Sequence, residues 1–73
     1  MNASNQIVEN GLEIKCIKGF FIPEMLGVMQ GEIWQEIEWE DGDAIFECKV
    51  GLNSGMVLTF TEEQLVNYFK VIS

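Results

Sequence analysis

Acidic residues are concentrated in one segment of this sequence. Between residues 32 and 47 there are seven carboxylates and no lysine. The seven are Glu32, Glu36, Glu38, Glu40, Asp41, Asp43 and Glu47. Clustered carboxylates can bind a divalent cation, act as the general acid and base of a hydrolase, or bind a basic surface of another molecule. They can also be only a solvated face that keeps a sheet edge from pairing with other chains.

The residue types of the whole chain argue against the first two functions. The chain contains twelve acidic residues and four lysines but no arginine and no histidine, so its formal net charge is −8. Without histidine, the commonest general base and zinc nitrogen ligand is absent. Residues 40–43 (EDGD) supply only part of a calcium loop, and Ser4, Ser54 and Ser73 have no basic partner in a recognisable motif. We therefore expect no catalytic activity, no metal and no cofactor.

The spacing of the acidic residues favours a binding face. Glu36, Glu38 and Glu40 alternate along a predicted strand, which would place them in a row about 6–7 Å apart on one face. Successive phosphates of a DNA strand have a similar spacing, so the row could dock into a basic groove. Trp34 has the same parity, and we predict that it is partly exposed as an aromatic anchor within the acidic rim. The predicted partner-binding residues are Trp34, Glu36, Glu38, Glu40, Asp41 and Asp43.

Short strands are the elements that would position this site. Alternating apolar residues predict strands over residues 12–18, 32–40, 43–50 and 56–60, with a long loop over residues 19–31. Asp41-Gly42 between two alternating segments predicts a hairpin. Ala44, Phe46, Cys48 and Val50 form the expected inner face of the strand that follows.

The end of the chain changes from strand to helix periodicity. Thr61 and Gln64 match a capping box, and Leu65, Tyr68 and Phe69 form the apolar stripe of a short helix. Lys70 is expected near the last helical turn, where a positive charge is favourable. Residues 71–72 would form a closing strand.

These elements predict a mainly β fold in which one curled antiparallel sheet closes on itself. We expect a polar, flexible lead-in over residues 1–11 and a single domain over residues 12–73. Cys16 and Cys48 lie among alternating apolar residues and have no CxxC spacing, so we expect both to be buried free thiols.

Several segments resemble a group of small SH3-like barrel proteins from bacteriophages and prophages of Gram-positive bacteria. The shared motifs are residues 15–18 (KCIK), 31–34 (GEIW), Gly42, 58–65 (LTFTEEQL) and 68–72 (YFKVI). The match covers about residues 12–72, with Gln30 where the group usually has a lysine and with a longer polar start. The resemblance implies an SH3-like barrel of about five antiparallel strands with one short C-terminal helix, and it implies no catalytic residue.

Together these observations predict a non-enzymatic binding protein. We expect its acidic hairpin face to dock and inhibit a host protein with a basic surface, such as a defence or nucleic-acid-binding protein. Four scattered lysines argue against direct binding to nucleic acid or to an anionic membrane. With no signal peptide or spanning segment recognisable in the sequence, we expect the protein in the host cytoplasm.

Two alternatives stay open. The first is a sponge for a nucleotide or another small ligand, in which glycine turns and lysines bind phosphate. The residues concerned are Gly27, Gly31, Gly51 and Gly55, with Lys15, Lys18 or Lys49. The second is an accessory structural phage protein that acts by homo-oligomerisation, for example as a homodimer through exposed strand edges.

Overall fold

The computed structural model describes residues 11–23 and 26–73. Of the predicted lead-in over residues 1–11, only Gly11 lies within the described residues. In chain order, the elements are β1 (Glu13–Cys16), β2 (Phe20–Phe21), β3 (Gly27–Val28), β4 (Ile33–Glu40), β5 (Asp43–Val50), β6 (Val57–Phe60), α1 (Glu62–Tyr68) and β7 (Phe69–Val71).

Five of the strands form one antiparallel sheet in the order β6-β5-β4-β1-β7. The prediction of a mainly β fold with antiparallel strands and a short helix near the C-terminus is confirmed. Strands β6 and β7 are the two edges, so within the described residues the hydrogen-bonded sheet is open. In that part of the chain, no helix is long and apolar enough to cross a membrane.

The predicted hairpin is formed by β4 and β5. Asp41 and Gly42 both have positive φ values, 51° and 85°, as a two-residue type I′ turn requires. Glycine adopts this backbone without a Cβ penalty, and aspartate tolerates it better than most residues do. The Asp-Gly pair therefore sets the register of the two longest strands next to the turn, from Glu40 opposite Asp43 to Glu38 opposite Ile45.

The predicted loop over residues 19–31 contains two short strands. Phe20 and Phe21 of β2 pair with Val28 and Gly27 of β3 in a small second sheet. Val28 is fully buried in the core. Two-residue strands are too short to show an alternating pattern, which is why the sequence did not reveal them.

Helix α1 begins as predicted. The Gln64 amide donates to Thr61 Oγ1 at 3.1 Å, and the Thr61 amide donates to Gln64 Oε1 at 2.9 Å. The placement of Lys70 in the last helical turn was wrong, because the helix ends at Tyr68. Phe69 has an extended backbone and starts β7, which puts its side chain into the core opposite Cys16.

The core is built around Phe60. Its ring centroid lies 4.9 Å from that of Phe69, 5.1 Å from that of Trp34 and 5.9 Å from that of Phe46. Phe20 stacks on Tyr68 with 4.3 Å between ring centroids and so attaches the small sheet to the helix. Aromatic residues from both sheets and the helix therefore share one core.

Both cysteines are buried free thiols, as predicted. Burial raises the pKa of Cys16 and raises that of Cys48 to about 11, and the negative charge of Glu32 adds to both rises. The two thiols are therefore protonated at neutral pH and act as small apolar core residues.

Glu32 is a buried carboxylate at the start of β4, with only 2% of its surface exposed. Its Oε1 accepts hydrogen bonds from the Met29 amide at 3.1 Å and from Trp34 Nε1 at 3.3 Å. Its Oε2 accepts from the amide and the side-chain Nδ2 of Asn53, at 3.0 and 2.8 Å. Asn53 Nδ2 also donates to the Gly27 carbonyl at 2.8 Å. One side chain thus links the loop before β4, the core tryptophan and the turn after β5.

Gly51 provides the space that Glu32 needs. A Cβ at Gly51 would lie 2.5 Å from Glu32 Cγ, and the φ of this residue is +127°. Both the backbone conformation and the close approach therefore require glycine here.

Replacing Glu32 by glutamine should destabilise the protein by about 2–3 kcal/mol, because the amide group would face donors where an acceptor is needed. The measurement is chemical denaturation of the full chain. The exposed Glu40→Gln variant is the matched control and should stay within about 0.5 kcal/mol of the parent. Equal stability of the two variants would show that the carboxylate does not carry these hydrogen bonds.

Gly51→Ala should cost more stability than Gly55→Ala, although both glycines have positive φ. Nothing lies within 4 Å of a Cβ at Gly55, so that variant loses only about 1–2 kcal/mol through backbone strain. Contact with Glu32 should add about 1–3 kcal/mol at Gly51. Thermal and urea unfolding would measure the difference, and equal losses would contradict close packing of Gly51 on Glu32.

Candidate functional site at the hairpin tip

The end of the β4–β5 hairpin projects from the rest of the sheet. We call residues 36–43 the hairpin tip. Residues 37–41, at its centre, are all exposed. Strand β1 pairs with β4 only at residues 33–35, and its last hydrogen bond to β4 joins the Leu12 carbonyl to the Glu36 amide. Within the described residues, β4 beyond Glu36 has β5 as its only neighbouring strand, so its other edge is unpaired. Side chains on both faces of this segment, residues 37–40, are exposed.

A β-bulge at Ile37 decides which side chains share a face of the tip. Glu36 lies opposite Phe46, whereas Glu38 lies opposite Ile45, so Ile37 has no partner in β5. One extra residue moves all following side chains to the other face. The register of the β4–β5 pair therefore changes inside the predicted acidic row.

The predicted row of Glu36, Glu38 and Glu40 is therefore wrong. Glu36 is on the core side of the sheet, and after the bulge Trp39 is on this side as well, opposite buried Ala44. Glu38 and Glu40 are on the outer side, with Asp43 directly opposite Glu40. Side chains cannot keep alternating between the same two faces along a strand that contains an inserted residue.

Trp39 is the aromatic side chain of the tip, with 49% of its surface exposed. Its indole Nε1 donates a hydrogen bond to Glu36 Oε2. Ile37 is 42% exposed and lies two residues away on the same strand. The tip therefore combines an indole ring, whose polar atom is bound to a carboxylate, with an exposed aliphatic side chain.

The prediction that Trp34 is partly exposed was wrong. Trp34 is fully buried, packs against Phe60, and donates its indole hydrogen to Glu32. It lies opposite Ile14 on one side and Cys48 on the other, so it occupies the centre of the sheet. A partner could not contact it without opening the core.

The acidic side chains of the tip have no cation beside them in the described residues. The one salt bridge found there joins Lys49 and Glu47 at 3.5 Å, near the other end of β5. Glu40 and Asp43 lie directly opposite each other, and like charges at this position are destabilising. With Glu38 and Asp41, they form an uncompensated negative surface that a cationic partner would relieve.

The carboxylates of the tip are not clustered as metal ligands would be. Within the described ranges, no group of three or more His, Cys, Asp or Glu residues is arranged to hold a metal ion. Glu32, which the sequence grouped with the surface acids, belongs to the core network instead. No spacing in the sequence distinguishes Glu32 from the exposed acids. The exposure of Trp39, in contrast, could have been predicted from its position two residues before the turn.

The exposure of the two tryptophans can be tested by fluorescence. In the Trp39→Phe variant, the remaining Trp34 should emit at short wavelength and resist quenching by acrylamide, because its ring is buried. The parent protein should show an additional component that acrylamide quenches. A quenchable, red-shifted emission from the folded Trp39→Phe variant would contradict burial of Trp34.

Comparison of the chain with models of known protein families, with curated protein sequences and with solved structures finds no match. The resemblance to SH3-like phage proteins therefore rests on the sequence motifs alone.

Proposed function

We propose that this protein is a non-enzymatic binding protein of phage type, which docks its hairpin tip onto a basic surface of a host protein and inhibits it. The observation that carries the proposal is the exposed Trp39 on a tip whose carboxylates have no cation beside them in the described part of the chain. A host defence protein or a nucleic-acid-binding protein would supply the required surface, and the complex would form in the host cytoplasm.

The apolar part of the tip favours a protein as the partner. Trp39 and Ile37 are both more than two-fifths exposed, and such side chains gain free energy when they are buried in a contact. Tryptophan is among the residues enriched at the energetic centres of protein interfaces. The hydrogen bond that Trp39 Nε1 donates to Glu36 restricts the rotamers of the indole ring, which reduces the entropy lost on binding.

The charge of the tip favours a basic partner. Glu38, Glu40 and Asp43 lie on the outer side of the tip and Asp41 lies in its turn, and the whole chain has a net charge of −8. Such a field speeds association with a cationic surface and disfavours acidic partners. An interface of this kind weakens as salt concentration rises.

The proposed relation to SH3-like barrel proteins is consistent with the number of strands. Five antiparallel strands and a helix before the last strand are the elements that the resemblance implies. We propose that the open sheet is a distant variant of that barrel, with α1 crossing between the two edge strands.

The proposal can be tested with variants of the hairpin tip. Tagged protein would be used for affinity capture from a lysate of Gram-positive bacteria, followed by mass spectrometry and titration of the partner retrieved. Replacing Glu38 and Glu40 by glutamine and Asp43 by asparagine should weaken binding at least tenfold and reduce its salt dependence. Trp39→Ala should weaken it by a similar factor through a faster off-rate.

Matched controls keep charge and hydrophobicity comparable. The triple variant Glu13→Gln, Glu47→Gln and Glu63→Gln also removes three negative charges, but away from the tip. Leu52→Ala removes a more exposed apolar side chain, 86% exposed, from a different turn. All four proteins should unfold at similar temperatures, because the changed residues lie on the surface. If the tip variants bind as well as the controls do, the hairpin tip is not the docking surface.

A further inference from the structure

Two of the four lysines lie side by side at the end of the sheet opposite the hairpin tip. Lys15 of β1 and Lys70 of β7 are direct register partners, and both side chains are exposed. In the next strand, Ile33 lies opposite Lys15. From Ile33 to Glu40, seven residue steps of about 3.3 Å place the tip about 23 Å away. This exceeds the screening length of about 8 Å at physiological salt, so the acidic tip does not neutralise the lysine pair.

The lysine pair lines a concave surface. A cavity of about 450 Å³ is bounded by Lys15, Cys16, Ile17, Gln30, Gly31 and Lys70. Backbone hydrogen bonds hold its walls together: the Gly31 amide donates to the Cys16 carbonyl, and the Ile17 amide donates to the Tyr68 carbonyl, each at 2.8 Å. The cavity is therefore held by fixed backbone, and the two lysines and exposed Gln30 are among its lining residues.

The arrangement is electrostatically unfavourable without a counter-ion. Like charges directly opposite each other on adjacent strands destabilise a sheet. Within the described residues, no carboxylate lies within 4.0 Å of either ammonium group, although Lys49 has such a partner in Glu47. Glu13 is two residues before Lys15 on the same strand but makes no salt bridge with it. A bound anion would remove the repulsion.

We propose that this cavity binds a small phosphate-bearing anion between the ammonium groups of Lys15 and Lys70. Two ammonium groups match the charge of a phosphate dianion, and charge-assisted hydrogen bonds of this kind are the stronger ones. Gln30 also lines the cavity, and its side-chain amide would supply a neutral donor. This site is separate from the hairpin tip, and its occupation does not depend on the docking function proposed above.

Isothermal titration of the full chain with pyrophosphate tests the proposal. Binding should saturate at one ligand per chain and weaken at least tenfold when Lys15 and Lys70 are both replaced by glutamine. The matched control replaces Lys18 and Lys49 by glutamine, which removes the same charge outside the cavity, and its affinity should stay within about twofold of the parent. A parallel titration with adenosine diphosphate separates two sources of the phosphate: equal affinity points to a free phosphate, and tighter binding points to a nucleotide.

Three results would overturn the proposal. The first is the absence of saturable binding by the parent protein. The second is an equal loss of affinity in both double variants, which would indicate only long-range attraction. The third is concentration-dependent association in light scattering that disappears in the Lys15→Gln, Lys70→Gln variant, without pyrophosphate binding. In that case the lysine pair would dock the acidic tip of a second copy.

Discussion

The buried carboxylate of Glu32 is the interaction on which most of this small structure depends. Removing a charge from water is costly, and here four donated hydrogen bonds compensate for that cost. The donors come from Met29, Trp34 and Asn53, so a loop, the central strand and a distant turn are fixed relative to one another. Gly51 must lack a side chain to allow this packing. In a domain of 73 residues, where the apolar core is limited, such a polar link has a large share in defining one conformation.

At the surface, the β-bulge at Ile37 determines which side chains share a face of the sheet. It separates the acidic residues of β4 into Glu36, which binds the indole of Trp39, and Glu38 and Glu40, which face solvent on the other side of the sheet. The result is a projecting tip with Trp39 on the core side and Glu38, Glu40 and Asp43 on the outer side, while three of the four lysines lie outside the hairpin. Negative charge at one end of the sheet and the lysine pair at the other give the molecule two surfaces that attract ligands of opposite charge.

Much of the fold could be predicted because it depends on local chemistry. The Asp41-Gly42 turn requires positive φ, and the Thr61–Gln64 cap requires a hydroxyl and an amide three residues apart, so both could be recognised from residue type and spacing. The bulge could not be predicted, since it arises from pairing between strands. For that reason, alternation placed Glu38 and Glu40 on the same face as Glu36. Trp34 lies before the bulge, and its exposure was predicted wrongly because it shares the parity of these acidic residues. Glu32 was grouped with the surface acids because its donors are contributed by residues as distant in sequence as Asn53.

The separation of one buried acidic residue from the exposed acids of the tip is the central claim, and amide hydrogen exchange measured by NMR tests it most directly. The amides of Met29 and Asn53 lie outside regular secondary structure, yet each donates to Glu32. We expect both to exchange slowly, at rates that approach those of global unfolding. If the Asn53 amide exchanges as fast as the amide of its exposed neighbour Leu52, the claim is contradicted, and Glu32 would be one of the exposed acidic residues.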